Sequence, residues 1–130
     1  MHKQFLITAS FLGALSVILG AFAAHKLKEI LEASLLQTFE TAVKYQMYHA
    51  LALLAVGIIF KDFSSKQLVW SGWSFIVGTI LFSGSLYLLC FIKHQNLSAT
   101  WVGAITPFGG LCFIAGWLFL AIGISKSAVG

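Results

Sequence analysis

Arginine does not occur in these 130 residues, and all eight basic side chains are lysines set against four acids. Charged residues make up 9% of the chain, against about 25% in an ordinary soluble domain. A chain this poor in charge cannot coat a water-facing surface, which excludes a soluble globular protein. The formal net charge of +4 rests on too few groups to build a nucleic-acid-binding face. It suits lysines flanking membrane spans beside anionic lipid. The two cysteines, Cys90 and Cys112, lie inside apolar runs and form no CxxC. They read as small buried hydrophobes rather than a disulfide or a metal pair. No nucleophile elbow, Walker loop, HExxH or glycine-rich dinucleotide motif is present. With so few acids, three of them near one interface, hydrolytic chemistry has no support, and neither a cofactor nor a metal is expected.

Apolar residues are what the chain has in quantity, at 59%. The length allows one domain, residues 1–130. The composition predicts an all-α integral membrane protein, a bundle of four transmembrane helices whose first partner is the lipid bilayer. The first apolar run, 5–24, has the roughly 20 residues a span requires. It also imitates a signal peptide, with Lys3 ahead of it and Ala21-Phe22-Ala23 as a cleavage pattern; its length favours a retained span. Residues 26–40 are amphipathic, with Leu27, Ile30, Leu31, Leu35 and Phe39 on one side. They predict a connector lying at the headgroups, with a short interfacial helix at about 26–33. Ser34 followed by Gln37 reads as a capping box, starting a new helix near Leu35.

The second run, Ala50 to Phe60, is only 11 residues, or about 16 Å of helix. That is half of a ~30 Å hydrocarbon core. The span must therefore reach back to about Thr41, giving 41–60 and drawing the sequence YQMYH (45–49) into the membrane; a re-entrant half-helix is the alternative. A polar turn at 61–67 follows, with Ser64 and Gln67 as a second capping box. The third span is 68–92, with Trp70 and Trp73 at its interface. The fourth is 99–124. Thr106, Pro107, Gly109 and Gly110 predict a kink or local unwinding within it. Gly109, Gly116 and Gly123 recur every seven residues and, with Gly103, predict a face for close backbone packing. Ser16, Gly20 and Ala24 predict a similar face on the first helix. Four spans place both termini on one side. Lysines tie between the two sides, and the N-terminal amine tips the termini towards the cytoplasm.

Polar residues within the bilayer are functional candidates by default. Glu40, Lys44 and Tyr48 are spaced by four, as are Thr41, Tyr45 and His49, and Gln46 lies beside them. Residues four apart share a helix face, and Glu40 before Lys44 is the favourable order for an ion pair. His25 ends the first helix and could approach the start of the second. The expected buried polar cluster is therefore His25, Glu40, Thr41, Lys44, Tyr45, Gln46, Tyr48 and His49. Three readings apply to it. It is a hydrogen-bond network that fixes helix packing; or a lipid, small-molecule or proton site centred on His49 with Glu40 and Tyr45; or a metal or haem site built from His25 and His49.

The stretches GAFAAHKL (20–27), FETAVKYQMYHALALL (39–54), FSGSLYLL (82–89) and AITPFGGLCFIAGW (104–117) closely resemble the YgdD/YwdK family of small bacterial membrane proteins. The resemblance covers nearly the whole chain. It implies a four-helix protein of the bacterial inner membrane and carries no activity, substrate or cofactor with it. Its signature residues match His25, Glu40, Tyr45, Gln46, Tyr48, His49, Pro107 and Gly110 here, and Ala23 departs from a glycine expected at that place. Three function classes follow from the sequence. The first is a non-enzymatic small subunit or assembly factor of a larger membrane complex, partnered by other subunits or by itself as a homo-oligomer. The second is a small transporter or channel using His49 and the region of Pro107. The third is a membrane enzyme.

Overall fold

The run 5–24 forms a helix that does not stop at its apolar end. The computed structural model describes residues 1–127. In it α1 runs Lys3–Phe22, passes through a π-turn at Ala23–Leu27 and ends in the short α2, Lys28–Ile30. At Leu31 the backbone turns extended. The π-turn admits one extra residue per hydrogen-bonded ring. Ala23 and Leu27 face inwards across it, packed with Phe39 and Cys90, while His25 and Lys26 are turned outwards.

The amphipathic segment 26–40 is therefore divided rather than free-standing. Its first part is the tail of the first span, and its second part is the opening turns of α3, Ala33–Phe63. Packing of Leu27 and Phe39 into a common cluster holds these turns against the bundle. Neither expected capping box forms as read. Glu32 is the N-cap of α3, and Ser34 Oγ donates to its carboxylate at 2.9 Å. α4, Lys66–His94, is capped one residue later than expected, where Ser65 Oγ accepts from the Leu68 N–H at 3.2 Å.

α3 has 31 residues, about 46 Å at 1.5 Å each, and runs on through Lys61 and Asp62 where a turn was expected. YQMYH lies at its middle. After α4 the chain reverses through Asn96, whose φ of 60° is left-handed, a conformation Asn tolerates. The fourth span is α5, Thr100–Gly103, followed by α6, Thr106–Ser125. The break falls at 104–105, ahead of the expected kink at Thr106, Pro107, Gly109 and Gly110. Pro107 occupies the first turn of α6, where its missing N–H would have no intrahelical partner in any case.

Four helical stretches are long and apolar enough to cross a membrane: Lys3–Ile30, Ala33–Phe63, Lys66–His94 and Thr100–Ser125. The fold is an all-α membrane bundle, with no strand among the described residues. α1 packs on α3, α3 on α4, and α4 on α6. The core joins Phe5, Ala9, Leu53, Val56, Leu68, Phe75 and Phe113. Large apolar side chains such as Phe11, Ile80 and Phe108 point outwards, as a lipid-facing surface requires.

The expected glycine face is real and has a matching partner. Gly123, Gly116 and Gly109 on α6 lie against Leu68, Phe75 and Phe82 on α4, and Gly78 of α4 lies against Phe113 of α6. Both rows step by seven in opposite chain directions, so one register sets the whole α4–α6 contact. Gly103 stands outside it and is exposed. On the first helix Ser16 is buried and Gly20 approaches Val43, but Ala24 is exposed, its place taken by Ala23. Ala23 follows Gly20 at a three-residue step on the same helix face.

Candidate functional site

The polar stripe on α3 is split by the packing. Gln46 and His49 are buried, at 2% and 5% exposure. Thr41 is half-buried and returns its hydroxyl to Gln37 O at 2.9 Å within its own helix. Glu40, Lys44, Tyr45 and Tyr48 are exposed, and so is His25 on the π-turn. The eight residues expected to form one buried cluster thus do not. α3 shows only one narrow face to α1, α4 and α6 together, and rows four residues apart diverge around it.

Gln46 ties three helices together. Its Nε2 donates to Leu12 O on α1 at 3.0 Å, and its Oε1 accepts from the Tyr87 hydroxyl on α4 at 2.7 Å. Leu12 O also receives the Ser16 hydroxyl at 2.8 Å. Both ends of the buried Gln46 amide thereby find the partners that a polar group in hydrocarbon needs.

His49 links α3 to α6. Its Nδ1 lies 2.7 Å from Tyr45 O, and its Nε2 lies 3.2 Å from Trp117 Nε1. An indole N–H can only donate and a carbonyl can only accept. Nε2 is therefore the bare nitrogen, Nδ1 carries the proton, and the ring is the neutral tautomer. Phe113 stacks on it with centroids 3.5 Å apart and planes 5° from parallel. Tyr45 closes the cluster, resting on Phe82 at 4.7 Å. We expect His49→Phe to cost about 1 kcal/mol by leaving the Trp117 N–H without an acceptor. Trp117→Phe should cost a similar amount, and the double variant little more than either. Thermal unfolding in mild detergent measures all three.

Sequence reasoning missed most partners in this network. Ser71 donates to Gly116 O at 2.7 Å, Ser83 to Ala42 O at 2.8 Å, and Ser85 and Thr106 share a 2.6 Å bond. Cys90 donates to Leu35 O at 3.3 Å, so it is buried with a polar role, while Cys112 is half-buried and free. The signal available was the recurrence of small hydroxyl residues inside the third apolar run. Among the described residues no buried side-chain nitrogen or oxygen lacks a hydrogen-bond partner.

The structure does not bring His25 and His49 together. Gln46, beside His49, bonds at Leu12, whereas His25 lies roughly 20 Å further along the helix axis. Among the described residues no group of three or more metal-binding side chains occurs.

The chain has relatives along its length. A UPF0382 membrane protein of Staphylococcus saprophyticus is 44% identical over 124 residues, covering 95% of this chain and 98% of the relative. The UPF0382 membrane protein YwdK of Bacillus subtilis is 38% identical over 125 residues, covering 95% and 98%. The UPF0382 inner membrane protein YgdD of Escherichia coli is 38% identical over 118 residues, covering 91% and 86%. No solved structure matches. The family model described as "Protein of unknown function (DUF423)" matches residues 19–110, a stretch that holds the π-turn, Gln46, His49 and Tyr87, and with these relatives it makes the chain a member of the DUF423 family, the UPF0382 membrane proteins.

Proposed function

We propose that this protein acts by association, as a non-enzymatic small subunit or assembly factor of a larger complex in the bacterial plasma membrane, with both termini cytoplasmic. One observation carries the reading. Tyr45 and Tyr48 sit at the middle of α3, their rings 5.8 Å apart and 40% and 54% exposed, and neither hydroxyl has a partner within the described chain. Tyr45 and His49 are level with Phe82 and Phe113, near the middles of α4 and α6, so the pair lies well inside the bilayer. An unpaired hydroxyl in hydrocarbon is costly. A polar group from a neighbouring membrane protein would satisfy both phenols.

A transport path would require His49 and the backbone of 106–110 to line one cavity. Five surface grooves among the described residues lie elsewhere, and none of these five is lined by either. His49 is buried, and both its ring nitrogens bond within the bundle, which supports a structural role for it.

A photo-crosslinking residue in place of Tyr48, activated in the protein's own membranes, tests the proposal. We expect one defined protein adduct, and a matching extra protein mass in native spectra of the mild-detergent extract. Adducts to lipid alone, together with a lone monomer in the native spectrum, would overturn it.

A further inference from the structure

At the end of the bundle where α2, α3 and α4 have their polar termini, two cavities adjoin. The first, about 300 Å³, lies between the tail of the first span, the start of α3 and the end of α4. Phe22, Leu27, Phe39, Cys90 and Phe91 are among its walls, and its surface is almost wholly apolar. The second, about 530 Å³, is mainly polar and is lined by Glu32, Lys93, His94 and Asn96 among others. Ile30 and His94 line both, so the apolar groove and the charged one share a wall.

Glu32 and Lys93 carry opposite charges in the same cavity yet form no ion pair with each other. Ser34 holds the Glu32 carboxylate at 2.9 Å. The other nearby charges, Lys26, Lys28 and Glu29, line a separate cavity with His25. The space between Glu32 and Lys93 therefore suits a group bearing both signs. The groove beside it suits a hydrocarbon chain. Both lie where the helices end, at the depth of lipid headgroups.

We propose that the two cavities seat one membrane phospholipid with a primary-amine headgroup. An acyl chain fills the apolar groove, the phosphate meets Lys93, and the ammonium meets Glu32. An ammonium has three N–H donors for a carboxylate, whereas a quaternary trimethylammonium has none. The site therefore selects the amine-bearing headgroup over its methylated counterpart of equal charge. This assignment is independent of the protein partner proposed above, because it involves neither Tyr45 nor Tyr48.

The test uses the full chain in nanodiscs of equal parts phosphatidylethanolamine, phosphatidylcholine and phosphatidylglycerol, with native mass spectra reporting the lipid retained. One phosphatidylethanolamine should be held about fivefold over phosphatidylcholine, the size of one partly exposed hydrogen bond. Glu32→Gln, at an exposed position, should erase that preference while one phospholipid is still retained. Lys93→Gln should reduce retention of every phospholipid. Equal retention of the two zwitterionic lipids, preferred retention of phosphatidylglycerol, or an unchanged preference in Glu32→Gln would each overturn the proposal.

Discussion

Gly109→Ala should destabilise the protein by about 3 kcal/mol or more, while Gly110→Ala, one residue along, should be neutral or slightly stabilising. The two glycines differ in what a methyl group would meet. A Cβ on Gly109 runs into the backbone of Phe82, with Cα at 2.7 Å and the amide nitrogen closer still. Backbone cannot rotate aside as a side chain can, so α4 and α6 must separate. Separation at this point strains the register that also seats Gly116 under the Phe75 ring, which lies 2.6 Å from where a methyl would stand, and Gly123 under Leu68. Gly110 has nothing within 4 Å, and an alanine there only improves helix propensity. Denaturation of both variants in a titration of sodium dodecyl sulfate against mild detergent gives the comparison. Equal stability of the two would refute the one-register description of the α4–α6 contact.

The second large effect is expected at Gln46. Gln46→Leu removes two interhelical hydrogen bonds and leaves the half-buried Tyr87 hydroxyl without an acceptor. A loss of about 2 kcal/mol is expected. Tyr87→Phe alone should cost about 1 kcal/mol, since the Gln46 amide keeps its bond to Leu12. In the double variant no phenol is stranded, so its loss should be smaller than the two single losses added together. A double-mutant cycle on the same denaturation measures that coupling. Strict additivity would mean that the 2.7 Å Gln46–Tyr87 bond does not form in the membrane.

The spans were legible because their signal is a quantity, a length of apolar chain against the thickness of a bilayer. An apolar run of 11 residues is too short to cross, and that shortfall alone predicts that the helix extends back through YQMYH, as α3 does. The glycine face on α6 was legible from a period of seven. What faces it was not, since Leu68, Phe75 and Phe82 stand among many apolar residues and only three-dimensional pairing singles them out. The π-turn left no mark on the sequence, and a spacing of four from Gly20 pointed to Ala24 where the i+3 residue Ala23 is the buried one. Pro107 points to a break one to two residues later than the one that forms before α6. Proline is tolerated in a first turn, so it marks the beginning of a helix as readily as a kink.

The polar cluster was the least legible part. Spacing by four identifies rows on a helix, but not which row meets a neighbour. Gln46 lay in neither row and proved the most connected polar side chain, while Glu40, Lys44 and Tyr48 lay in one row and face outwards. Nothing in the sequence sets Trp117 apart from the other aromatics of the fourth span, and only the placing of α6 brings it to His49.

Every large helix contact joins spans that follow one another along the chain. Each span can therefore dock onto its predecessor as soon as it leaves the ribosome and enters the bilayer, without waiting for a distant segment. The last docking is different in kind. Until α6 arrives, the furrow of α4 that receives its glycines stays open to lipid, and His49 lacks the indole N–H that its Nε2 accepts. A chain of three spans thus has one unfinished face, and that face is the mould of the fourth.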